Sequence, residues 1–159
     1  MPRAGWIASA VLAVMASGTV AWSAAAVVGQ PAPEIAMQDI NGQPRKLSDH
    51  RGSYVVLEWF NPQCPFVKKH YLSGNMQALQ RAYTGKGVVW WTINSSAPTR
   101  EGHVTPEQAS GVLQEWEMAP TAMLLDEDGT VGKRYGAKTT PHLFIINPEG
   151  VLIYAGAID

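Results

Sequence analysis

The run Tyr54-Val55-Val56-Leu57-Glu58-Trp59-Phe60 is built of β-branched, aromatic and aliphatic residues, interrupted only by Glu58. A strand of this composition has no polar face to turn to water, so it must be covered on both sides. It stops at the turn Asn61-Pro62-Gln63. Cys64-Pro65-Phe66-Val67-Lys68-Lys69-His70 then reads as the start of a helix, with proline where a first turn tolerates it. Further apolar runs follow at Val88 to Asn94, Ala122 to Leu125 and His142 to Ile146. The last is followed by the hairpin turn Asn147-Pro148-Glu149-Gly150 and a closing strand, Val151 to Ala155.

Helical segments lie between these runs. One extends from Cys64 to about Tyr83, open to interruption at Ser73-Gly74-Asn75, with Met76, Leu79, Gln80 and Tyr83 on one face. Gly85-Lys86-Gly87 ends it. Thr105-Pro106-Glu107-Gln108 carries cap, proline and capping-box residue in order. A short helix is expected from about Val131 to Tyr135. Upstream, Glu34 to Met37, the turn Asn41-Gly42 and Arg45 to Leu47 read as a small hairpin. Strands alternating with helices, then a hairpin, imply an α/β domain with a mixed sheet and helices on its faces.

The N-terminus is of another kind. Arg3 is the only charge before Glu34, and Trp6 to Met15 is apolar, followed by small residues through Ala24-Ala25-Ala26. A basic start, an apolar middle and a small-residue exit describe a secretory signal peptide over residues 1–26, with the mature domain at 27–159. An uncleaved anchor helix is the competing reading, though the stretch is weakly hydrophobic for a span. Export implies a periplasmic or secreted protein, with membrane contact only if the segment is retained. The formal net charge is -1 with no basic cluster, which argues against nucleic acid as a partner.

Cys64 is the only cysteine. At a helix N-terminus a thiol meets unpaired N–H groups and the positive end of the helix dipole, and both favour the nucleophilic thiolate. A free cysteine is also a common buried apolar residue, so position alone leaves two readings open. In an oxidising compartment an unpaired thiol points to reactivity or to an intermolecular bond. Glu58 shares a strand face with Val56 and Phe60. Buried beneath a thiol, it would have a raised pKa and could exchange protons with it; facing solvent, it would be ordinary. Pro141 follows Thr139-Thr140 and precedes a buried strand, where an X-Pro bond is open to the cis form. His50, His70, His103 and His142 read as structural or surface residues. Trp59, Trp90, Trp91 and Trp116 read as core or interface aromatics. A copper-carrier site would need a second sulfur ligand, and the chain has one thiol.

The order Glu58, Cys64-Pro65-Phe66-Val67, and Thr140-Pro141 before a strand-turn-strand ending resembles the thioredoxin-like superfamily. The entry Val28-Gly29-Gln30-Pro31-Ala32-Pro33, with Leu47-Ser48-Asp49 and Tyr54 to Phe60, is similar to its redoxin branch, the alkyl hydroperoxide reductase and thiol-specific antioxidant group. The resemblance covers residues 28–158. It implies a thioredoxin-like α/β/α sandwich with Cys64 as nucleophile and Glu58 as the buried acid. It also implies that Thr140 and Pro141 form a loop facing the cysteine and holding an extended substrate. By the same resemblance the chemistry is thiol-disulfide exchange with protein or small-molecule thiols and disulfides, without a bound cofactor. The alternatives are a one-cysteine, peroxiredoxin-like peroxidase of antioxidant function and a redoxin-fold binding module without redox activity.

The departures are specific. Val67 stands where thioredoxins carry a second cysteine, so a mixed disulfide would wait for an external thiol. Asn61 replaces the peroxiredoxin Thr/Ser, and the activating arginine falls near Pro141, leaving Arg134 as the nearest basic residue in sequence. The C-terminal helix usual in this fold is missing before Asp159, so the sequence reads as a possible fragment with one sheet face partly bare.

Overall fold

The structure is a computed structural model describing Met1 and residues 25–158. The expected signal segment falls almost wholly outside the described residues. In chain order the elements are β1 (Ala36–Gln38), β2 (Pro44–Lys46), a 3-10 turn (Leu47–His50), β3 (Val55–Trp59), α1 (Pro65–Leu72), α2 (Asn75–Thr84) and β4 (Val89–Asn94). Then come α3 (Pro106–Glu115), β5 (Ala122–Leu125), α4 (Thr130–Tyr135), β6 (His142–Ile146) and β7 (Leu152–Gly156). The long helical segment breaks where the sequence allowed it: Gly74 takes a left-handed φ of 75° and starts α2 afresh.

β3 is buried along its whole length, as its composition demands. It lies at the centre of a five-stranded sheet of order β5-β4-β3-β6-β7, with β1 and β2 pairing separately. β3 runs parallel to β4 and antiparallel to β6. β4 is parallel to β5, and β6 antiparallel to β7. The sheet is therefore mixed, as expected.

Alternation along β3 divides the core in two. Val55, Leu57 and Trp59 join Ile35, Leu47 and Trp91 on one face, closed by Tyr135 of α4. Val56 and Phe60 join Val67, Tyr71, Met76 and Trp90 on the other, closed by α1, α2 and Ala109 of α3. The crossovers β3-α1-α2-β4 and β4-α3-β5 step the same way across the sheet, which places their helices on the same face. Each large side chain buried here contributes about 1.5–3 kcal/mol. α3 starts as the sequence predicts: Thr105 accepts from the Gln108 N–H, and the Gln108 side chain accepts from the Thr105 N–H.

The α1/α2 face is not fully covered. Val56, Leu79, Tyr83, Trp90 and Leu143 line an open apolar cleft of about 390 Å³. Among the described residues no helix is long and apolar enough to cross a membrane.

Candidate active site

The turn after β3 is fixed by Asn61. Its side-chain oxygen accepts from the Gln63 N–H at 2.8 Å, and its carbonyl accepts from the Cys64 N–H at 3.1 Å. Its amide nitrogen donates to the Glu101 carbonyl at 3.3 Å. Gly102 approaches so closely, at a φ of +83°, that a Cβ there would collide with the Asn61 side chain. The turn delivers Cys64 as the N-cap of α1, extended at φ -67° and ψ 125°, with Pro65 opening the first turn. The Cys64 carbonyl accepts the helix bond from the Lys68 N–H at 3.0 Å. The cysteine is half-buried, and Gln63, Pro65 and Phe66 around it are exposed, Phe66 by 68%.

Thr140 arrives from the far end of the chain. The antiparallel register pairs Trp59 with His142, so the loop before β6 meets the loop after β3. The Thr140–Pro141 peptide is cis. The Cys64 thiol donates to the Thr140 carbonyl at 3.0 Å. Burial pushes this thiol upward, but hydrogen bonds from the Thr140 hydroxyl and from the N–H groups of Val67 and Phe66, all of which favour the thiolate, outweigh it. The net shift is downward, toward thiolate. Beside the pair a cleft of about 240 Å³ opens at the carboxyl ends of β3 and β4, with Asn61, Ser96 and Lys138 in its wall.

Glu58 is completely buried on the α1/α2 face. One carboxylate oxygen accepts from the Tyr71 hydroxyl at 2.7 Å. The other accepts from Trp90 Nε1 at 2.8 Å, Gln80 Nε2 at 3.1 Å and the Thr92 hydroxyl at 3.3 Å. Burial raises its pKa, and the four donors pull back only in part. Tyr71 is held far above the usual phenol range by burial and by the Glu58 charge. The burial inferred from strand alternation is thus present, and the hydrogen bonds that hold Glu58 run to these four residues rather than to Cys64.

Sequence reasoning missed this group of partners. Gln80 reads as a member of the α2 face, and Trp90 as plain core. The available signal was register: Thr92 lies directly across the parallel pair from Glu58.

His70, His50 and His142 make contacts within the fold. His70 is buried and hydrogen-bonds Asn75 at 3.1 Å, and His50 sits edge-on to Trp91. His142 Nδ1 accepts from the Lys138 N–H at 3.3 Å. Burial, and then the Lys138 charge, depress its pKa. Arg134 reaches the Glu34 carbonyl at 2.9 Å from α4, on the sheet face opposite Cys64. Among the described residues no three His, Cys, Asp or Glu side chains are placed to hold a metal ion.

The sequence model of the AhpC/TSA family matches residues 28–155. A protein of the Clostridium pasteurianum rubredoxin operon, provisionally classed as a peroxiredoxin, is 26% identical over 144 residues, 84% of this chain and 79% of its own. The thiol-disulfide oxidoreductase ResA of Geobacillus thermodenitrificans is 27% identical over 122 residues, 69% of each chain. The crystal structure of an uncharacterized conserved protein from Geobacillus kaustophilus superposes with a TM-score of 0.75 at 29% identity. It covers 84% of this chain and 70% of that one.

Proposed function

The chain belongs to the AhpC/TSA family, and from that footing we propose that it is an exported thiol-disulfide oxidoreductase working through Cys64 alone. One observation carries the reading: the only sulfhydryl caps α1, faces the Thr140 carbonyl at 3.0 Å, and is biased toward thiolate. In the forward step the Cys64 thiolate attacks a substrate disulfide. A Cys64–substrate disulfide forms, and the other substrate sulfur leaves as thiolate. No second cysteine can displace the substrate, so an outside thiol completes the exchange. Thr140 and Pro141 dock the substrate segment across the thiol. Glu58 tunes the proton balance from beneath the sheet surface. Residues 1–26 act as the export signal.

Alkylation of Cys64 by iodoacetamide across pH tests this. The expected midpoint lies below the ordinary thiol value of 9.0, with disulfide exchange lost in Cys64→Ser. A normal midpoint, or full exchange in Cys64→Ser, overturns it. The peroxidase reading draws support from the family and from the clostridial relative. Sulfenic acid forming on Cys64 at low peroxide much faster than on free cysteine would select it.

A further inference from the structure

The cleft beside Cys64 is built by three loops that the exchange step itself does not require. Phe60 and Asn61 come from the end of β3, Ser95 and Ser96 from the end of β4, and Lys138 to Thr140 from the loop before β6. Its position outside the carboxyl ends of adjacent parallel strands is where this kind of sheet leaves room for a ligand. It shares Thr140 with the thiol, so a small group bonded to Sγ would have its remainder within reach.

The lining has a definite chemistry. Lys138, an exposed residue at its rim, is the one charged residue among those that line it, and no Asp or Glu does. Ser95 is already committed: it accepts from Trp59 Nε1 at 3.0 Å and donates to Asp126 at 2.6 Å. Asp126, behind Ser95, is itself held by the N–H groups of Val131 and Gly132. The Ser96 and Thr139 hydroxyls and the Lys138 ammonium have no such commitment among the described residues. A cation with neighbouring hydroxyls suits a carboxylate, and a volume of about 240 Å³ suits a small molecule rather than a folded partner.

We propose that this cleft receives a low-molecular-weight thiol bearing a carboxylate, the outside thiol that regenerates Cys64. The proposal rests on the redox reading above and names the resolving substrate. The small thiolate attacks the Cys64 sulfur of the mixed disulfide. A Cys64–small-thiol disulfide forms, and the first substrate leaves as thiolate. A second small thiolate attacks the small-thiol sulfur, forming the small disulfide and releasing the Cys64 thiolate. Two small thiols are oxidised for each substrate disulfide reduced, and no electrons are left over.

The test runs the small-disulfide step on the purified chain with three probes of similar size and different charge. These are the disulfides of thioglycolate (anionic), 2-mercaptoethanol (neutral) and cysteamine (cationic). Mixed-disulfide formation on Cys64 is followed by mass spectrometry, each rate being divided by that of N-acetylcysteine methyl ester. The expected order is anionic, then neutral, then cationic, with anionic over neutral by about fivefold, the scale of one exposed ion pair. Lys138→Glu inverts the order. Lys86→Glu, a lysine that sits over the Tyr83 ring away from the cleft, keeps it. Because Lys138→Glu also shifts the thiolate fraction for every probe alike, the order and not the absolute rate is the readout. A flat order, or one unchanged in Lys138→Glu, overturns the proposal. A flat order with a fast neutral probe leaves the redox reading standing. Rates no faster than the model thiol for all three probes remove both.

Discussion

Removing the Glu58 carboxylate should be among the most damaging single changes in the chain, and its pH dependence has an unusual sign. In Glu58→Ala, the Trp90 Nε1–H loses its acceptor in a site sealed from water and cannot turn elsewhere. The Tyr71 and Thr92 hydroxyls can rotate, and the Gln80 amide keeps its bond to the Tyr71 oxygen at 2.9 Å. One orphaned donor, weakened bonds at the others and the cavity together cost about 3–5 kcal/mol. Glu58→Gln keeps the shape. Its carbonyl can serve Trp90, Gln80 and Thr92, while its amide faces the Tyr71 oxygen, so the cost is about 1 kcal/mol. Because burial raises the Glu58 pKa above 4.5, the folded chain binds this proton more tightly than the unfolded chain. The contribution is therefore greatest at or below pH 4.5, falls as pH rises through the folded-state value, and is constant above it. Urea unfolding of wild type and Glu58→Gln, followed by tryptophan fluorescence from pH 4.5 to 8, reads this directly. The stability gap between them should narrow as pH rises. A gap that widens would mean that the four donors overcome burial and hold a charged carboxylate, contrary to the argument.

Other consequences are open to the same unfolding measurement. Gly132→Ala should destabilise by about 1–3 kcal/mol despite alanine's better helix propensity, because its Cβ would sit 2.9 Å from the Ser95 hydroxyl and 3.3 Å from Trp59 Nε1. Ser95→Ala should cost about 1–2 kcal/mol by leaving the Trp59 N–H without its acceptor; no loss in urea midpoint would mean that water replaces the hydroxyl. Thr105→Ala should cost about 1 kcal/mol through the broken capping box of α3, and Thr105→Ser should recover most of it.

Most of the architecture was readable because each element carries its own local signal. The Tyr54 to Phe60 run could only be a doubly covered strand, and Thr105 with Gln108 announced the start of α3. The place of Cys64 at the head of α1 was readable for the same reason, since a strand, a turn and Pro65 fix where it must stand. What escaped were partners distant in sequence. Trp90, Gln80 and Tyr71 converge on Glu58 only after β4 is in register and α2 is packed, and nothing near any of them records it. Asp126, just past the Ala122 to Leu125 run, is buried, holds the Val131 and Gly132 N–H groups of α4 and reaches Trp59 through Ser95. Such bonds satisfy polar groups that folding has sealed from water, so their logic is three-dimensional.

The contact between Cys64 and Thr140 spans 76 residues of chain and closes only when β6 has docked against β3. The protein thus carries a built-in gauge of its own integrity. A lesion that parts β6 from β3 removes what Thr140 contributes to the thiol's ionisation and leaves only what the Val67 and Phe66 N–H groups supply. Labelling kinetics at that single atom therefore report whether the β3–β6 pair is closed.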